Sequence, residues 1–147
     1  MQDLPHHYTV QAKGSATGSL IASADNLPDI NIAPPAQFGG PGDAWSPEDL
    51  LMAAVANCLV LSFKAVARAS NLEWQTIECE SVGELNRIDK VTRFTSTLSK
   101  VTLVIPETES VEKAERLLNK AEQVCLISNS LSCDSHIECD VQINADR

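Results

Sequence analysis

The sequence predicts one α+β domain over residues 1–147, its elements running βββ-α-ββ-α-β. Three observations carry that expectation. Alternating apolar and polar residues mark strands at the start, the middle and the end of the chain. One long stretch free of glycine and proline, and one amphipathic stripe further on, read as helices. No repeat, low-complexity tract or linker divides the chain, and 147 residues with 44% hydrophobic content suit one core better than two.

Taken in order, Tyr8, Val10 and Ala12 alternate with His7, Thr9, Gln11 and Lys13, as in a strand. The segment Gly14-Ser15-Ala16-Thr17-Gly18 supplies a turn, and Ser19 to Ala24 returns as the second strand. Asp29 to Ala33 adds a third. Pro34 through Asp43 holds three prolines and three glycines in ten residues, which excludes helix and central strand and predicts a loop. Ser46 then precedes Pro47, Glu48 and Asp49: an N-cap hydroxyl, a proline at the first helical position and acidic residues in the first turn. From Leu50 to about Ala69 the helix is apolar nearly all round until Lys64 and Arg68, so other parts of the fold must wrap it. Thr76 to Asn86 and Thr92 to Ile105 are rich in Val, Ile, Thr and Phe and read as strands, with Arg87 to Val91 as the turn. After Pro106, Thr108 or Ser110 caps a second helix to about Val124, with Val111, Ala114, Leu117, Leu118, Ala121 and Val124 on one face. Cys133 to Ile143 closes the order as a strand whose odd-numbered residues face inward.

A net charge of -9, with eleven Lys and Arg scattered singly, offers no basic face for phosphates, so nucleic acid and anionic membrane are poor partners. The apolar run Leu50 to Phe63 is broken by Asn57 and falls short of the roughly 20 residues of a spanning helix. The N-terminus shows no basic region followed by a hydrophobic one, and a cytoplasmic address is expected.

In a reducing compartment the five cysteines, at 58, 79, 125, 133 and 139, should be thiols at rest. Cys79 and Cys139 fall inside strands and read as core packing. Strand alternation puts Cys133 and Cys139 on one face and His136 on the other, so no metal site is expected; His6 and His7 read as solvated terminal residues. Cys58 and Cys125 differ, because each lies on or at the end of a hydrophobic helix that the core should bring together. Composition alone leaves both open to a packing role. Cys58 is mid-helix and Cys125 near a helix C-terminus, so neither gains from its own helix dipole. Activation of Cys58 must come from a side chain on another segment.

The residues Gly39-Gly40-Pro41-Gly42, Ser46-Pro47-Glu48-Asp49-Leu50-Leu51, Ala53-Ala54-Val55-Ala56-Asn57-Cys58 and Cys125-Leu126-Ile127-Ser128-Asn129-Ser130-Leu131 form a joint pattern over essentially the whole chain. In that pattern the chain resembles the OsmC/Ohr family, the osmotically inducible and organic hydroperoxide resistance proteins. The resemblance implies an OsmC-like fold, an intertwined homodimer with antiparallel sheets wrapped around central hydrophobic helices. It implies a stress-response thiol peroxidase without cofactor, in which Cys58 attacks an organic hydroperoxide, becomes a sulfenic acid and is captured by Cys125 as a disulfide. The implied reductant is a dithiol, such as a lipoylated protein. Glu48 is the implied catalytic carboxylate. Ten residues of helix separate it from Cys58, about 15 Å of rise, so the partner subunit's glutamate is the one expected to serve. The family's peroxidases also place an arginine in the first hairpin, and this chain has no Arg before Arg68. Lys13 and Arg93 are the candidate substitutes, though lysine lacks the planar fork of a guanidinium. That departure supports an alternative, a non-peroxidatic protein that binds a small apolar or thiol ligand at the dimer interface.

Overall fold

A computed structural model describes residues 1–145. The chain forms two compact units, Met1–Leu51 and the remainder from Met52.

In the first unit, β1 (Gln11–Lys13), β2 (Leu20–Ser23) and β3 (Ile30–Ile32) form an antiparallel sheet in that order, with Ala12 opposite Ala22 and Ile21 opposite Asn31. β1 starts three residues after Tyr8 because its partner ends at Ser23, so the residues before Gln11 have no strand to pair with. The proline-rich segment departs from the loop expectation by one 3-10 turn over Ala36–Phe38. Proline suits the start of such a turn, and Pro35 accepts from the N–H groups of Phe38 (2.9 Å) and Gly40 (3.0 Å). Glycine is required at position 40, where a Cβ would lie 1.7 Å from the Pro34 carbonyl oxygen. The helix α1 (Pro47–Ala69) begins as the sequence dictates. Ser46 Oγ accepts from the Asp49 N–H at 3.0 Å and donates to Asp49 Oδ2 at 2.8 Å.

In the second unit α1 buries Val55, Leu59, Phe63 and Ala67, one stripe at a spacing of four. Leu59, Phe63 and Ala67 pack with Leu72, with Val101, Leu103 and Ile105, and with Ala114, Leu117, Leu118 and Ala121. Each fully buried Leu or Phe contributes roughly 2–3 kcal/mol. The wrapping expected all round α1 is therefore partial within one chain, and Leu61 stays 64% exposed. The reading that the apolar run is too short to span a bilayer does not hold either. The helix continues past Phe63 to Ala69, and with 23 residues and an 18-residue window of mean hydropathy 2.0 it could cross a membrane by length and composition, a test that core helices also pass.

The strands β4 (Thr76–Ile88) and β5 (Val91–Pro106) form a long hairpin. Asp89 and Lys90, both at positive φ (51° and 67°), make its two-residue turn, tighter than the Arg87 to Val91 segment expected. Ser110, not Thr108, caps α2 (Val111–Val124), accepting from the Lys113 N–H at 3.2 Å. A short helix absent from the expectation, α3 (Leu126–Asn129), precedes β6 (Asp134–Asn144). The second sheet, ordered β4-β5-β6, corrects the expectation of antiparallel sheets, because β6 pairs parallel with β5. The helical crossover from β5 through α2 brings the chain back to the same end of the sheet, and a strand entering there runs alongside β5. In β6 Ser135, Ile137, Cys139 and Val141 are half-buried, while Asp134, His136, Glu138 and Asp140 are exposed.

Candidate active site

The α2 helix ends at Val124, and Cys125 leaves it in an extended conformation (φ -64°, ψ 107°) that makes the same residue the N-cap of α3. The corner is pinned by short-range bonds. Asn129 Nδ2 donates to the Gln123 carbonyl at 3.0 Å, the Asn129 N–H to the Cys125 carbonyl at 3.0 Å, and Ser130 Oγ to the Leu126 carbonyl at 2.7 Å. Carbonyls left open at the end of α2 thus find donors in α3. Cys125 is wholly buried.

This corner meets α1 at Cys58. The Cys125 thiol and the backbone N–H groups of Leu126 and Ile127 all act on the Cys58 sulfur, and Ser62 Oγ stands one helical turn along α1 at 4.0 Å. Burial pushes the Cys58 thiol up, but donation from the Ile127 N–H, the Cys125 thiol, the Ser62 hydroxyl and the Leu126 N–H together brings it below the ordinary cysteine value. Cys125 goes the other way. Burial pushes it up first; the Ser128 hydroxyl and N–H oppose this, while its hydrogen bond to Cys58 and the Cys58 charge add to it. In the reduced pair, therefore, Cys58 ionises before Cys125. Cys79 and Cys139 are both pushed up, chiefly by burial.

The expectation that a side chain from another segment must activate Cys58 thus needs correction, since two of the four donors are backbone amides. Among the described residues the groups that lower Cys58 include no Lys or Arg. Arg93 is exposed on β5 opposite Asn86, near the hairpin turn. Lys13 is exposed on β1, opposite Ile21. Within the first unit Glu48 borders a cleft of about 450 Å³ lined by Leu20, Ile32, Pro35 and Phe38, and Glu48 Oε2 is buried without a hydrogen-bond partner. Sequence reasoning missed Ser62, Leu126, Ile127 and Ser128. The spacing of Ser62 from Cys58 was readable as one turn of helix, but nothing marked a chain reversal directly after Cys125.

The profile of the OsmC-like proteins matches residues 40–140. A protein of Bacillus subtilis described as uncharacterized protein YmaD is 25% identical over 144 residues, 94% of this chain and 95% of that one. Among solved structures, an OsmC-like protein of unknown function from Vibrio cholerae superimposes with a TM-score of 0.86 at 16% identity, over 92% of this chain and 100% of that one. An organic hydroperoxide resistance protein OsmC from Legionella pneumophila gives a TM-score of 0.74 at 23% identity, over 95% and 99%.

Proposed function

The chain belongs to the OsmC-like protein family, and from that premise we propose that it is a cysteine-based thiol peroxidase that reduces organic hydroperoxides. The observation that carries this reading is the sulfur pair. Cys58 is favoured as thiolate, and one of the donors favouring it is the thiol that would later resolve it. In the first step the Cys58 thiolate attacks the outer oxygen of the hydroperoxide, the O–O bond breaks, and the alkoxide leaves and takes up a proton as an alcohol. Cys58 is then a sulfenic acid. Cys125 displaces its hydroxyl as water and forms the Cys58–Cys125 disulfide, which a dithiol such as a lipoylated protein reduces by exchange.

The working unit is a cytoplasmic homodimer, supported by the single covered stripe of α1 and the exposure of Leu61. The partner subunit's Glu48 serves Cys58 in it. Treating the reduced protein with an organic hydroperoxide and mapping disulfides by mass spectrometry tests the reading. A Cys58–Cys125 bridge, with turnover lost in Cys58→Ser, is the expected result; no bridge and an unimpaired Cys58→Ser protein would remove it. A second reading, a ligand-binding protein without peroxidase activity, is favoured by the unpartnered Glu48 Oε2 beside an apolar cleft. Sustained NADH consumption in a lipoamide-coupled hydroperoxide assay counts against it.

A further inference from the structure

The hydroxyl of Ser128 opposes the upward push on Cys125, but the reaction steps described so far make no use of it. Ser128 is 7% exposed, and its Oγ is buried without a hydrogen-bond partner of ordinary geometry. It is the third residue of α3, and Cys125 is the N-cap. That spacing sets the N-cap side chain beside the side chain and the N–H of the third residue. A thiol is a weak acceptor, and the cap is not closed by a side-chain bond in the reduced protein. A thiolate at the same position would accept from both Ser128 donors at once.

We propose that Ser128 is a positioning residue for the resolving step: its hydroxyl and backbone N–H hold the Cys125 sulfur as a thiolate against Cys58 once Cys58 has been oxidised. The inference rests on the peroxidase reading. While Cys58 is a thiolate, its charge and its hydrogen bond keep the proton on Cys125. Oxidation to the neutral sulfenic acid removes both influences. What then acts on Cys125 is burial, which opposes ionisation, and the two Ser128 donors, which favour it. Cys125 gives up its proton and attacks the Cys58 sulfur. The S–O bond breaks, hydroxide leaves and is protonated to water, and the electron pair of Cys125 forms the disulfide. The loss of charge on Cys58 thus sets the order of events and Ser128 supplies the donors, so the resolving sulfur becomes a nucleophile only after its target exists. The titratable groups facing Cys125 among the described residues are Cys58 on α1 and, through charge, Cys79 on β4.

Two measurements on the full-length protein decide it. In Cys58→Ser protein carrying 13C-labelled cysteine, the titration midpoint of Cys125 is followed by NMR, with and without S128A. Loss of one donor to a charged acceptor raises the midpoint by about one pH unit or more. In the protein with both cysteines, rapid mixing with cumene hydroperoxide and dimedone trapping follows decay of the sulfenic acid. S128A slows disulfide formation about tenfold near neutral pH and displaces its pH profile upward, a change that loosened packing alone would not produce. An unmoved midpoint overturns the role of Ser128 whatever the protein's activity. If the parent protein takes up no peroxide, the peroxidase reading falls instead, and the Ser128 proposal falls with it as a statement about resolution.

Discussion

The substitution Leu126→Pro isolates one donor to the Cys58 sulfur with little else changed. Leu126 opens α3, where the N–H has no intrahelical partner to lose and proline is well tolerated. Cys125 before it is already extended (ψ 107°), close to what a residue preceding proline prefers. The Leu126 side chain is 65% exposed, so its removal forfeits little burial. What disappears is the N–H that favours the Cys58 thiolate. It is the last and smallest of the four lowering influences, so the loss is set at about 1 kcal/mol, the usual net contribution of a protein hydrogen bond. At 1.36 kcal/mol per pH unit this moves the Cys58 titration up by roughly 0.7 units. Below the midpoint, the thiolate population, and with it the rate of alkylation by iodoacetamide, falls about fivefold. The assay is the pH dependence of that rate in a protein with the other four cysteines changed to serine or alanine, compared with and without the proline. An unchanged profile, with circular dichroism showing an intact fold, would refute the assignment of the backbone of α3 as an activating group.

Other outcomes follow from the packing and the remaining thiols. Leu118→Ala empties a wholly buried position of α2 and costs about 2–5 kcal/mol, read as a lower urea midpoint. Lys90→Gly relieves a left-handed residue (φ 67°) in the β4–β5 turn and stabilises by about 1 kcal/mol, shifting the same midpoint upward. Cys79, Cys125 and Cys139 hold their protons more tightly when folded, so the stability they contribute is complete below about pH 8.5 and is lost as pH rises through their folded values. Cys58 has the opposite sign, its contribution present above about pH 8.5 and lost as pH falls through its lowered value. In a protein carrying Cys58→Ser and Cys125→Ser, where the raised Cys79 and Cys139 remain, denaturation becomes easier from about pH 8.5 upward; stability that rises there contradicts the reading.

How far the sequence carried the structure depended on whether each signal was local. The start of α1 was legible because Ser46, Pro47 and Asp49 are contiguous and their interactions close within one turn. The alternating burial of β6 followed from period-two patterning alone. The parallel pairing of β6 was not legible, because direction depends on the crossover through α2 rather than on the strand's own residues. Around the site, the sequence put Cys58 and Cys125 on helices of one core but gave no sign of α3. Four residues with no hydrophobic period to detect turn the chain just past Cys125, and that turn brings the amides of Leu126 and Ile127 to Cys58. An activating cation would stand in the sequence as a Lys or Arg, whereas two of the four donors are main-chain amides that only the fold brings to Cys58.

The position of Cys125 at the joint between two helices has a mechanical corollary. A bond from it to Cys58 would staple that joint to α1 and close the chain into a large ring, which in the chain-entropy treatment handicaps the unfolded ensemble by about 4 kcal/mol. The oxidised molecule should therefore melt later than the reduced one, so that a simple thermal scan reports how much of a sample awaits its reductant.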